Sequence, residues 1–64
     1  MGKSNQQPNF SFGRYLELID SAPDDKTIAA LAVLAMAQYR NKKLSLQNLS
    51  QIFTECGAKL YTFV

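Results

Sequence analysis

Between Thr27 and Tyr39 the sequence reads Thr-Ile-Ala-Ala-Leu-Ala-Val-Leu-Ala-Met-Ala-Gln-Tyr, and only Gln38 carries a charged or amide group. The segment is rich in Ala and Leu, the strongest helix formers, and holds no Gly or Pro. An ordinary surface helix shows a single apolar stripe. This one shows two. Ile28, Leu31, Ala32, Ala35, Met36 and Tyr39 form the stripe with the larger side chains, which is expected to face the rest of the chain. Ala30, Val33, Leu34 and Ala37 form a second stripe at the same i, i+3, i+4, i+7 spacing. Leaving Val33 and Leu34 in water would forgo roughly 1.5–3 kcal/mol each, a large share of the stability of a small domain. The second stripe is therefore covered either by another helix of this chain or by a second polypeptide.

The size of the chain favours the second polypeptide. Sixty-four residues allow one domain, and a domain of about 60 residues buries only about 60% of its unfolded surface. Chains of this size draw extra stability from disulfides, a metal or association. A single Cys leaves no partner for a disulfide, and the absence of His removes the commonest metal ligand. Ala30, Val33, Leu34 and Ala37 are thus the expected interface, most simply between two copies of the chain.

Two amphipathic segments flank the apolar one. Phe12, Tyr15, Leu16 and Ile19 lie on one face of a helix expected over about 11–22, with Asn9 or Ser11 as N-cap. Pro23 disfavours helical geometry at Ala22 and stops it. Asp24 and Asp25 open the central helix, about 24–40, where carboxylates meet free N–H groups and the positive end of the dipole. Asn41 is the expected left-handed cap. Ser45 opens a third helix with Leu46, Leu49, Ile52, Phe53 and Cys56 on one stripe, and Gly57 is expected to end it at about 56. The expected fold is an all-α three-helix bundle over 10–64. A flexible polar tail is expected to precede it at 1–9, and a short hydrophobic tail closes it. Leu60 to Val64 is β-branched and aromatic, so its local preference is extended. A tail packed onto the domain, a short helix and a strand added to a partner all remain open for it.

The same inventory limits function. Without His there is no Ser-His-Asp or Cys-His arrangement. Asp24-Asp25, Glu17 and Asp20 have nothing beside them in sequence to desolvate them, so capping and solvation account for them. No enzyme activity, metal or cofactor is expected. Cys56 falls on an apolar stripe near a helix C-terminus, where the dipole disfavours a thiolate, and reads as a small core residue. Met1 to Asn9 lacks the apolar core of a secretion signal, and the apolar run Ile28–Ala37 is half the length of a membrane span. A cytoplasmic protein without membrane contact is expected. Met1-Gly2 lacks Ser or Thr at position six for myristoylation, and Gly2-Lys3-Ser4 lacks the upstream glycine of a phosphate loop. Thr62-Phe63-Val64 matches a loose pattern for strand addition to a peptide groove.

Charge is uneven. Residues 1–32 carry three cations and four carboxylates, residues 33–64 four cations and one carboxylate. Arg40, Lys42 and Lys43 cluster between the second and third helices. Read as a helix-turn-helix, these cations would meet phosphates while Gln47, Asn48 and Gln51 on the third helix met base edges. The third helix, expected over about 45–56, contains no Arg or Lys and carries Glu55, the turn before it lacks the usual Gly, and three or four cations neutralise few phosphates. Two functions are therefore carried forward. The first is a small regulatory or interaction protein acting through the apolar face of the central helix as a homodimer. The alternative is a dimeric DNA-binding regulator.

Overall fold

Each helix begins where a capping side chain precedes an apolar repeat. A computed structural model describes residues 10–64; the polar tail expected at 1–9 lies outside the described residues. Ser11 Oγ accepts the Arg14 N–H at 3.2 Å and opens α1 (Phe12–Asp20). Asp24 Oδ1 accepts both the Thr27 N–H at 2.9 Å and the Thr27 hydroxyl at 2.7 Å, opening α2 (Asp25–Arg40). Ser45 Oγ accepts the Asn48 N–H at 3.1 Å and opens α3 (Leu46–Leu60). These acceptors satisfy N–H groups that have no partner inside the helix. The described residues form no strand, and the chain is an all-α three-helix bundle.

Two boundaries differ from expectation. Gly57 does not stop α3, which runs three residues past it to Leu60 and tightens into a 3₁₀ turn at Tyr61–Phe63. A glycine ends a helix by taking a left-handed conformation, and Gly57 has no positive φ. The second difference is at the end of α2. Asn41 keeps φ at −89°, and the left-handed residue is Lys42 at φ 63°. The Lys43 N–H reaches the Gln38 carbonyl at 2.8 Å and the Lys42 N–H reaches that of Tyr39 at 2.9 Å. This is the paired hydrogen-bond closure that ordinarily places Gly where Lys42 stands.

α2 packs along α3, and α1 packs against both. The core is Tyr15, Ile19, Ala22, Ile28, Leu31, Ala35, Leu44, Leu49, Ile52 and Cys56, with Phe10, Phe12, Leu18, Ala32 and Leu34 half-buried around it. Lys59 ties the far end together. Its Nζ donates to the Asp20 carbonyl at 2.6 Å, so α3 supplies a cation to the negative end of α1, whose own last turn has none. No helix among the described residues is long and apolar enough to cross a membrane.

Candidate functional site

The side of α2 that turns inward is decided by its one amide. Gln38 is 7% exposed, and its side chain lies against the segment that enters α1. Gln38 Oε1 accepts the Phe10 N–H at 3.2 Å while Gln38 Nε2 donates to the Phe10 carbonyl at 3.1 Å, so the side chain pairs with both backbone groups of one residue as a neighbouring strand would. The Tyr15 hydroxyl, fully buried, also donates to Gln38 Oε1. The Phe10 ring meets the Tyr15 ring edge-on at 5.5 Å. Burying an amide is tolerable when its hydrogen bonds are made. Burial raises the Tyr15 phenol above its ordinary pKa, because the phenolate would lose its water.

With Gln38 inward, the expected core stripe of α2 is only partly in the core. Ile28, Leu31 and Ala35 are buried and Ala32 half-buried, but Met36 is 44% and Tyr39 38% exposed. The second stripe divides as well. Ala30 and Val33 are exposed, Val33 at 67%, whereas Leu34 and Ala37 are half-buried and Leu34 packs against the core. Two of the four expected interface residues thus face water. The uncovered face is centred on Val33 and Met36 and was not among the stripes read from spacing.

α3 repeats the pattern. Leu49, Ile52 and Cys56 are buried, while Leu46, Phe53 and Leu60, seven residues apart on one line, are exposed. The opposite flank of α3, with Glu55, Ala58 and Lys59, shares a surface depression with Leu16, Ile19 and Asp20 of α1. The Leu46–Phe53–Leu60 line therefore lies on the flank away from α1, beside α2. On α2, Met36 is turned about 160° from Gln38, which points to α1 (about 100° per residue). Among the described residues every exposed large apolar side chain belongs to α2, α3 or the C-terminal turn, and α1 contributes none. A face of Val33, Met36, Tyr39, Leu46 and Phe53 is left uncovered, and the heptad line on α3 could have suggested it from sequence.

The residues considered for nucleic acid lie at one end of the bundle. Arg40, Lys42 and Lys43 line a shallow depression with Tyr39, Leu44 and Ser45, and the two lysines line another with Phe10 and Ser11. Among the described residues no carboxylate pairs with these three cations; the ion pair seen is Arg14 with Glu17 at 3.0 Å. Gln47 and Gln51 are exposed and Asn48 is half-buried. Gln51 Nε2 donates to Glu55 Oε2 at 3.1 Å, which places a carboxylate beside one of the proposed base-reading groups. The described residues hold no group of three or more His, Cys, Asp or Glu suited to a metal ion. Cys56 is buried, and burial followed by the neighbouring Glu55 charge pushes its thiol pKa up. Both effects oppose the thiolate. Asp24 is shifted the other way, its carboxylate held down first by the Thr27 hydroxyl and then by the Thr27 N–H.

The C-terminal turn does not pack down as a hydrophobic tail. Tyr61 is 82% exposed and Val64 wholly so, and the Phe63 ring lies 5.8 Å from Lys59 Nζ. The 3₁₀ geometry of Tyr61–Phe63 is helical and not the extended form a strand addition needs. Comparison with protein-family models, with curated proteins and with solved structures finds no match to this chain.

Proposed function

We infer that the chain is a small non-enzymatic interaction or regulatory protein of the cytoplasm, acting by burial of the α2–α3 face against another polypeptide. Self-association into a homodimer is its first form. The single observation that carries this reading is the uneven exposure: the exposed large apolar side chains of the helices, Val33, Met36, Tyr39, Leu46, Phe53 and Leu60, lie on α2 and α3 and none on α1. Apolar surface gains about 25 cal/mol per Å² when removed from water. Single exposed apolar residues are commonplace, but a contiguous group bordered by polar side chains marks a contact surface. Gln47, Ser50 and Thr54, exposed beside Leu46 and Phe53, supply such a border. The buried thiol of Cys56 suits a reducing compartment.

The test is sedimentation across concentration, from about micromolar to millimolar, the range in which weak specific dimers form. The wild-type chain is expected to associate, and Val33→Asp to stay folded and monomeric. If Val33→Asp matches wild type in folding, mass and every interaction measured, the face has no binding role.

A further inference from the structure

The charges of the chain are sorted along the bundle axis. α1 and α3 start at the end where α2 finishes. Gln38 holds the Phe10 backbone there, and Phe10 and Ser11 share a depression with Asn41, Lys42 and Lys43. At the opposite end Lys59 reaches the Asp20 carbonyl. A cut through the middle of the three helices puts residues 10–16 and 33–53 on the first side and 17–32 and 54–64 on the second. All five carboxylate side chains, Glu17, Asp20, Asp24, Asp25 and Glu55, fall on the second side with Lys26 and Lys59. Arg14, Arg40, Lys42 and Lys43 fall on the first, and Lys3 lies outside the described residues. Arg14 reaches back to Glu17 at 3.0 Å, which leaves Arg40, Lys42 and Lys43 without a carboxylate among the described residues.

Other features of this end favour an anion as well. The N-termini of α1 and α3 bring their positive dipole ends to it, and the carbonyl end of α2 is closed by the N–H groups of Asn41, Lys42 and Lys43. Lys42 occupies a left-handed position that Gly fills more readily, so the chain carries an ammonium where the turn itself has no need of a side chain. Tyr39 is 38% exposed and borders the same depression as the three cations. Ser11, Asn41, Ser45 and Gln47 around them are exposed.

We propose that this end of the bundle binds single-stranded nucleic acid, with Arg40, Lys42 and Lys43 on its phosphates and a base stacked on the Tyr39 ring. Cations beside an exposed aromatic ring are the means by which unpaired strands are held with little regard to sequence. The surrounding amides and hydroxyls suit sugar and phosphate oxygens. They oppose burial in a bilayer, which disfavours an acidic membrane as the partner. α3 meets the strand with its N-terminal end. The flank that a recognition helix would lay in a groove has Gln51 tied to Glu55. The site is separate from the α2–α3 face and shares only Tyr39 with it.

The test is fluorescence anisotropy of a labelled single strand of about 12 nucleotides, titrated with the full chain, with circular dichroism confirming that each variant is folded. At about 50 mM salt the wild type is expected to bind in the micromolar range, and log Kd should rise with log salt at a slope of about 2, as three phosphate contacts require. Lys43→Gln should weaken binding about tenfold and lower that slope by about 0.7. Tyr39→Ala should weaken it about tenfold with the slope unchanged, and Tyr39→Phe should retain it. Lys26→Gln removes the same charge at the opposite end and should stay within about twofold of wild type, since it lies beyond the screening length.

If Lys26→Gln weakens binding as much as Lys43→Gln, net charge alone is read and the site is overturned. A wild-type chain that leaves the strand free at about 100 μM and low salt overturns it as well. A duplex of the same sequence bound as tightly as the single strand overturns the stacked base on Tyr39. Binding to vesicles of phosphatidylserine and phosphatidylcholine, without binding to the strand, assigns the cations to a lipid surface and overturns nucleic acid as the partner.

Discussion

The Tyr15 hydroxyl donates to Gln38 Oε1 in the interior of the bundle, joining α1 to α2 through the only polar side chain buried among the described residues besides the phenol itself. The same oxygen accepts the Phe10 N–H, so removing either partner has unequal effects. Tyr15→Phe deletes one donor and leaves Gln38 satisfied by Phe10; the expected cost is about 1 kcal/mol. Gln38→Leu leaves the Tyr15 hydroxyl and both Phe10 backbone groups without that partner, and about 2–4 kcal/mol is expected. Urea denaturation of both single variants and the double should give a cost well below the sum of the two.

Alkaline pH tests the same phenol. Its pKa is raised in the folded state, so the unfolded chain loses the proton first as pH rises. Stability is therefore full below about pH 10, the ordinary tyrosine value, and falls as pH climbs from there toward the folded pKa. Thermal melts of Tyr15→Phe should show a weaker decline over that window than wild type.

Lys42 holds a left-handed conformation that costs a side-chain-bearing residue roughly 1 kcal/mol relative to Gly. Lys42→Gly keeps the two closing hydrogen bonds and relieves that cost, offset in part by the greater freedom of Gly when unfolded. A gain of up to about 1 kcal/mol in chemical denaturation is expected. A loss would show that the lysine side chain itself holds the turn.

Gly57 lies inside α3, and a Cβ placed there would meet no atom within 4 Å. Gly57→Ala should stabilise the monomer by about 1 kcal/mol through helix propensity alone. The melting temperature of a variant kept monomeric by Val33→Asp is the clean measurement. No gain there would mean that the helix does not run through position 57.

Cys56 offers a probe of opening. It is buried with a raised thiol pKa, so a thiol reagent near neutral pH should react with the native chain orders of magnitude more slowly than with the denatured chain. Labelling should then follow the unfolding equilibrium, and Gln38→Leu should accelerate it. A rate unaffected by destabilising variants would mean that the thiol is reached without unfolding.

Much of the architecture follows from short-range chemistry. Ser11, Asp24 and Ser45 cap the three helices because each offers an oxygen to an N–H three residues on, a relation visible in spacing alone. Pro23 and the apolar repeats of α1 and α3 are legible for the same reason. The inward amide is not. Gln38 breaks an apolar run and reads as a solvent-facing position until Phe10, 28 residues away, and Tyr15 are brought to it. That long-range pairing rotates the core arc of α2 toward Gln38 and lifts Met36 and Tyr39 out of it. The exposed face of α2 is therefore turned around the helix from the expected stripe, sharing Ala30 and Val33 with it while Leu34 and Ala37 are half-buried. Gly57 departs from expectation for another reason: a glycine stops a helix only if its backbone turns left-handed, and nothing in the residue itself compels that.

The hairpin of α2 and α3 offers α1 two sides to lie on, and the choice fixes whether the chain winds to the left or to the right. Apolar area alone does not decide it, since the vacant side carries Val33, Met36 and Phe53. The amide of Gln38 favours the side taken, because it holds Phe10 and Tyr15 there, and the Lys59 contact to the Asp20 carbonyl acts with it. A polar contact thus bears on the handedness of a bundle whose core is otherwise almost wholly apolar. A Gln38→Leu chain would be free to adopt both windings, and a doubled set of amide resonances would be their signature.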